Sequence, residues 1–122
     1  MSGTRMPWMP RGAVPEITAE ELKRRLNAGE SVFLLDVRQP WEYDQAKLPN
    51  SVLHPLNRLG SEIEDLQQQI PAGATVVVYC HHGMRSLTGA ALLLAAGVAN
   101  VCSLRGGIDA WSVLIDPTVP RY

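Results

Sequence analysis

Residues Val76 to Ser86 read VVVYCHHGMRS, and this stretch gathers most of the side chains able to do chemistry. A β-branched run ends at Tyr79. Cys80, His81, His82, Gly83, Met84, Arg85 and Ser86 follow, and then an alanine- and leucine-rich segment begins. A thiol at the point where a strand gives way to a helix faces free backbone N–H groups and the positive end of the helix dipole. A thiolate is stabilised in that setting, which makes Cys80 a candidate nucleophile. Gly83 lets the loop adopt positive φ, so that successive N–H groups can converge on an anion. Arg85 carries permanent charge, and His81 and His82 add charge where they are protonated. The competing reading is a buried structural cysteine with solvated histidines beside it.

The chain has two cysteines, and the contexts differ. Cys102 lies in ANVCSLRGG, inside a short apolar run, and reads as a small buried hydrophobe with little thiolate character. A disulfide between Cys80 and Cys102 is not expected in a reducing compartment. Cys80, His81 and His82 are adjacent on one loop and lack paired zinc-ligand spacing, so no metal is expected. Asp36, Arg38 and Glu42 form a second polar group. Arg38 and Glu42 are close enough in sequence to pair across a turn, and Asp36 can accept N–H bonds from neighbouring loops. All three are expected to support the site rather than react.

These side chains need a scaffold. Thr75 to Tyr79 is the clearest strand, and Ser31 to Leu35 is a second apolar run without polar alternation, as in a strand buried on both faces. Thr18 and Glu21 form a capping-box pattern that starts a helix, which Gly29 ends. Pro40 suits a first helical position. Ser51 to His54 is a short strand candidate, and Ser61 with Glu64 predicts a helix running to about Gln69. The apolar segment after Ser86 predicts a buried helix, Asn100 to Leu104 a last strand, and IDAWSVL a last short helix. Strands alternate with helices throughout. That argues for an α/β fold with a mostly parallel central sheet and helices on both faces. In such folds ligands bind outside the carboxyl ends of the strands, where both Asp36 and Cys80 are expected.

Residues 1–14 show no periodicity and read as a flexible arm, leaving 15–122 as one domain. A net charge of −1 gives no footprint for nucleic acid or an anionic membrane. The longest greasy stretch is well short of the roughly 20 residues that span a bilayer. MSGTRMPWMPRG has no apolar core of a secretory signal, so a cytoplasmic location is expected.

Four ordered blocks resemble the single-domain rhodanese (sulfurtransferase) family. They are LLDVRQPWEY (34–43), LPNSVLHPL (48–56), VVVYCHHGMRS (76–86) and LRGGIDAW (104–111), and the likeness covers roughly residues 15–122. The second block departs from the family, with Lys47-Leu48 and Asn50 where a His-Ile pair and a Gly are usual. The resemblance implies a three-layer rhodanese-like fold and no cofactor. It implies that Cys80 takes sulfane sulfur from thiosulfate or a similar donor and passes it to cyanide, a thiol or a protein acceptor. It also implies that residues 81–86 bind the donor, with Arg85 contributing. The tail IDPTVPRY resembles one that follows the rhodanese domain of enzymes that adenylate sulfur carriers, so a sulfur-carrier protein or its adenylating enzyme is a candidate partner. That tail is expected to matter for stability or partner choice rather than for sulfur loading. Two rivals remain. One is a docking or sulfur-relay module without catalysis of its own. The other is a cysteine-dependent phosphatase or arsenate reductase, for which the loop is one residue short: Arg85 is the fifth residue after Cys80, not the sixth.

Overall fold

The computed structural model describes residues 14–122. Among the described residues five strands, β1 (Glu16–Ile17), β2 (Val32–Asp36), β3 (Val52–Leu53), β4 (Thr75–Tyr79) and β5 (Val101–Leu104), alternate with five helices. The helices are α1 (Ala19–Asn27), α2 (Pro40–Gln45), α3 (Leu56–Gln69), α4 (Arg85–Ala95) and α5 (Gly107–Leu114). The strands pair in the order β1-β5-β4-β2-β3, and every pairing is parallel. Of the expected arm, residues 1–13 lie outside the described residues, and Val14 is buried in the core.

The period of two along a strand divides the core between the two faces of the sheet. Val77 and Tyr79 of β4 join Leu22 of α1 and Ile108 and Trp111 of α5 on one face. Val76, Val78 and Cys80 join Leu59 and Leu66 of α3 and Ala90 and Leu93 of α4 on the other. The result is three layers, with β2 and β4 apolar on both sides. That explains why SVFLL and TVVVY show no polar alternation.

Local signals in the sequence account for most helix boundaries. The Thr18 hydroxyl caps α1 by accepting from Glu21 N at 3.1 Å. The expected box is only half made, because the Glu21 carboxylate turns to Arg24 and Arg25 instead of back to the cap. Pro40 opens α2, where Gln39 N donates to the Glu42 carboxylate at 3.0 Å. The helix expected from Ser61 starts five residues earlier, at Leu56. Pro55 supplies an extended residue ahead of the first turn, and Ser61 sits inside the helix with its hydroxyl bonded to Arg58 O. Asn50, in the block that departs from the family, has φ +63°. Asparagine enters that left-handed conformation more readily than most non-glycine residues, because its short polar side chain can hydrogen-bond locally.

Candidate active site

Asp36 and Tyr79 are register partners at the carboxyl ends of β2 and β4, so Asp36 and Cys80 share one rim of the sheet. Past Cys80 the chain makes four bent residues and then enters α4 at Arg85. The Cys80 side chain is 1% exposed, and its Sγ is surrounded by donors. Gly83 N donates to Sγ at 3.1 Å and Ser86 N at 3.3 Å. The Ser86 hydroxyl lies 3.5 Å from Sγ and 2.7 Å from the Ser103 hydroxyl on β5. The sulfur therefore occupies a cradle of backbone N–H groups at the N-terminus of an eleven-residue helix.

Two glycines make this cradle possible. Gly83 has φ +100°, and a Cβ there would lie 3.0 Å from Gly106 N. Gly107 has φ +61°, and a Cβ on it would run into the carbonyl oxygens of Cys80 and His81. With no Cβ, the start of α5 packs under the loop. Ile108 N then donates to Cys80 O at 2.9 Å and Asp109 N to His81 O at 3.1 Å. The loop thus has its own Gly83 amide and the Ser86 amide of α4 against the sulfur, and α5 amides against its carbonyls.

The charged groups are wired differently from the sequence expectation. Arg38 does not pair with Glu42. It is fully buried and grips Asp36, two residues back, through Nε and Nη2 at 2.6 to 3.1 Å, while its own N–H also donates to Asp36 Oδ1. A planar guanidinium can fold back onto so near a carboxylate in a two-pronged grip. Nη2 also donates to Ala46 O. Burial opposes the Arg38 charge, but the bonds to Asp36 and Tyr122 outweigh it and hold the group firmly protonated. The Asp36 carboxylate serves this cation, while the Asp36 backbone carbonyl accepts from His54 N, just past β3, at 2.9 Å.

Glu42 is taken by Arg85, whose Nη1 and Nη2 donate to its two oxygens at 2.7 and 2.8 Å. That pair holds the Glu42 carboxyl down at about 2 against its burial. Arg85 is therefore a tethered cation at the edge of the loop rather than a free one. His81 also contributes less charge than expected, because burial and then the neighbouring His82 lower its pKa. Met84 projects from the loop and is 72% exposed.

Three features of the site were not foreseen. Tyr122 of the tail, for which only stability or partner choice was expected, stacks its ring on that of His81, with centroids 3.9 Å apart and planes 9° apart. Its hydroxyl accepts from Arg38 Nη1 at 2.7 Å and donates to Glu42 Oε2 at 2.8 Å. Ser103 completes the hydroxyl chain behind the sulfur; a serine at a fully buried strand position was the available signal. Finally, His81, His82 and Asp109 each bring one ligand atom within 4.8 Å of the others. Both Asp109 oxygens are already bonded to Arg121, at 2.9 and 3.3 Å.

Cys102 stands apart from this rim. It lies on β5 in the other core, beside an open cleft of about 440 Å³ at the opposite end of the sheet, and burial pushes its thiol up. No described helix is long and apolar enough to cross a membrane.

The family model described as "Rhodanese-like domain" matches residues 18–114. A "Sulfurtransferase" of Allochromatium vinosum is 37% identical over 99 residues, which is 81% of this chain and 89% of that protein. The "Probable adenylyltransferase/sulfurtransferase MoeZ" of Mycobacterium tuberculosis is 35% identical over 106 residues, covering 87% of this chain but 26% of the relative. Among solved structures, a thiosulfate sulfurtransferase from Pseudomonas aeruginosa superposes with a TM-score of 0.72 at 31% identity, over 82% of this chain and 19% of the other.

Proposed function

The chain belongs to the rhodanese-like domain family of sulfurtransferases, and from that premise we propose that it carries sulfane sulfur as a persulfide on Cys80. The observation that carries this reading is the pair of N–H groups aimed at Cys80 Sγ, one from Gly83 in the loop and one from Ser86 in the first turn of α4. They stabilise the thiolate before reaction and the anionic persulfide after it.

Thiosulfate is the donor that suits this cradle. The Cys80 thiolate attacks the outer sulfur, the S–S bond of thiosulfate breaks, and sulfite leaves with the bonding pair. Cys80 then holds a persulfide anion. In the second half-reaction an acceptor such as cyanide or a thiol attacks the terminal sulfur and returns the thiolate. Two half-reactions through a covalent intermediate give ping-pong kinetics. No step calls for a cofactor. Residues 81–86 form the wall that the donor meets. The Arg85–Glu42 pair sets its charge, and Asp36 with Arg38 stiffens the rim beneath it.

A second reading has its own support. MoeZ joins an adenylyltransferase to a sulfurtransferase in one protein, and this chain aligns with 26% of it. On that reading the acceptor is a sulfur-carrier protein activated by an adenylating enzyme, and the persulfide is a relay. A phosphatase is disfavoured by the loop length, with four residues between Cys80 and Arg85, and by the capture of Arg85 by Glu42.

Intact-mass spectrometry after incubation with thiosulfate tests the main reading. One added sulfur on Cys80, removed by cyanide and absent in Cys80→Ser, is the expected result. An unmodified thiol after prolonged incubation would overturn it. Loading that discharges to an adenylated carrier protein, but slowly to cyanide or small thiols, would favour the relay.

A further inference from the structure

Tyr122 is 84 positions from Arg38 and 80 from Glu42, yet it joins them. The tail that delivers it is fastened at several points. Val119 is buried and its carbonyl accepts from the Ser112 hydroxyl at 2.6 Å. Arg121 pairs with Asp109 on α5. The Tyr122 ring then lies flat on His81, which is itself stacked on His82, and Trp41 meets it edge-on with centroids 5.9 Å apart.

The direction of its two hydrogen bonds is fixed by chemistry. Arg38 can only donate, so the phenol oxygen accepts from it, and the phenol hydrogen is left for Glu42. Glu42 thus receives Arg85 Nη1 and Gln39 N on one oxygen, and Arg85 Nη2 and the Tyr122 hydroxyl on the other. The phenol spreads part of the carboxylate charge toward Arg38. It is available to do so at every working pH, because burial pushes Tyr122 up to about 12. Without it, Glu42 would present a larger uncompensated charge to Arg85 and to the loop beyond.

We propose that Tyr122 is a positioning residue that sets how readily the Cys80 loop accepts an anion, acting through Glu42 and Arg85. As a statement about the sulfur donor, the inference rests on the persulfide reading. As a statement about the electrostatics of the loop, it stands alone.

The test uses two alkylating agents of similar size and different charge. Site-resolved mass spectrometry gives the rates at which anionic iodoacetate and neutral iodoacetamide modify Cys80, and their ratio reads the field at the sulfur. In Tyr122→Phe the stack is kept and only the hydroxyl is lost. The ratio should fall about threefold to tenfold, in keeping with the loss of one charge-assisted hydrogen bond. Thiosulfate loading should fall by at least the same factor, with iodoacetamide changed less than twofold. A purely structural role would slow both agents alike; that result, or an unchanged ratio, overturns the proposal. Glu42→Gln keeps the shape and removes the charge, so its ratio should move the opposite way. It decides the matter if the Phe variant does not fold, since an unchanged or lowered ratio in it also overturns the proposal. A wild-type protein that fails to load from thiosulfate, beside a Phe variant with the lowered ratio, would sink the donor assignment and leave the role of Tyr122 intact.

Discussion

Replacing Gly83 with alanine should disable the sulfur cradle while removing no functional side chain. Its backbone has φ +100°, where an L-residue is strained. The added methyl would lie 3.0 Å from Gly106 N and 3.4 Å from Leu104 O, both backbone atoms that cannot swing aside. The chain must therefore leave the left-handed region or push the β5–α5 turn away. Either response moves Gly83 N–H off Sγ. A hydrogen bond to a charged acceptor contributes about 1.5–3 kcal/mol, and about 1.4 kcal/mol corresponds to a factor of ten. Thiosulfate loading and iodoacetamide modification of Cys80 at pH 7 should then fall by about tenfold to a hundredfold. The strain itself should lower stability by about 1–3 kcal/mol, read as a shift of the urea midpoint. Rapid-quench mass spectrometry would give the loading rate, and the urea titration would confine the comparison to folded protein. A folded Gly83→Ala protein that loads at the wild-type rate would show that Ser86 N–H and the helix terminus suffice.

Three further outcomes are expected. Arg38→Met should lower stability by about 3–5 kcal/mol in chemical denaturation, since it strands the buried Asp36 carboxylate. The double variant with Asp36→Leu should recover much of that loss, and simple additivity would refute the pairing. Glu42, held at about 2 against an ordinary 4.5, contributes stability that is fully present above pH 4.5 and lost as the pH falls through about 2. At about 1.4 kcal/mol per pKa unit the loss is on the order of 3 kcal/mol. Glu42→Gln should flatten stability between pH 5 and about pH 2, and an equally steep profile in that variant would refute the assignment. Iodoacetamide at pH 7 should modify Cys80 before Cys102, whose thiol is pushed up by burial; the reverse order in peptide mapping would contradict the cradle.

The fold was legible because its signals are local. TVVVY shows itself as a doubly buried strand by its β-branched run, and Thr18 marks a helix start three residues from its partner. Cys80 could be singled out for the same reason, since its strand, its glycine and its helix are contiguous. The start of α3 was misplaced because a capping-box spelling at Ser61 carries no record of the backbone around it. The ion pairs were harder still. Arg38 had two carboxylates within reach, and proximity in sequence does not say that Asp36 would hold it. Glu42 was claimed by Arg85, 43 residues away. No spacing rule could bring Tyr122 to Arg38, because the tail reaches the site only after α5 has packed beneath the loop.

The division of the core by the central sheet has a consequence for the fate of a loaded sulfur. Many thiol enzymes discharge an oxidised cysteine internally, through a second cysteine that attacks it and closes a disulfide. Here the whole chain has one other cysteine, and the sheet stands between the two thiols: Cys80 belongs to the α3/α4 side and Cys102 to the α1/α5 side. β4 and β5 are paired strands of that layer, so the route from one sulfur to the other is closed by hydrogen-bonded backbone. On the proposed reading, a persulfide on Cys80 would find no cysteine among these 122 residues placed to resolve it. Its discharge would then fall to an acceptor that reaches the rim of the sheet, so the lifetime of the loaded sulfur would follow the supply of that acceptor.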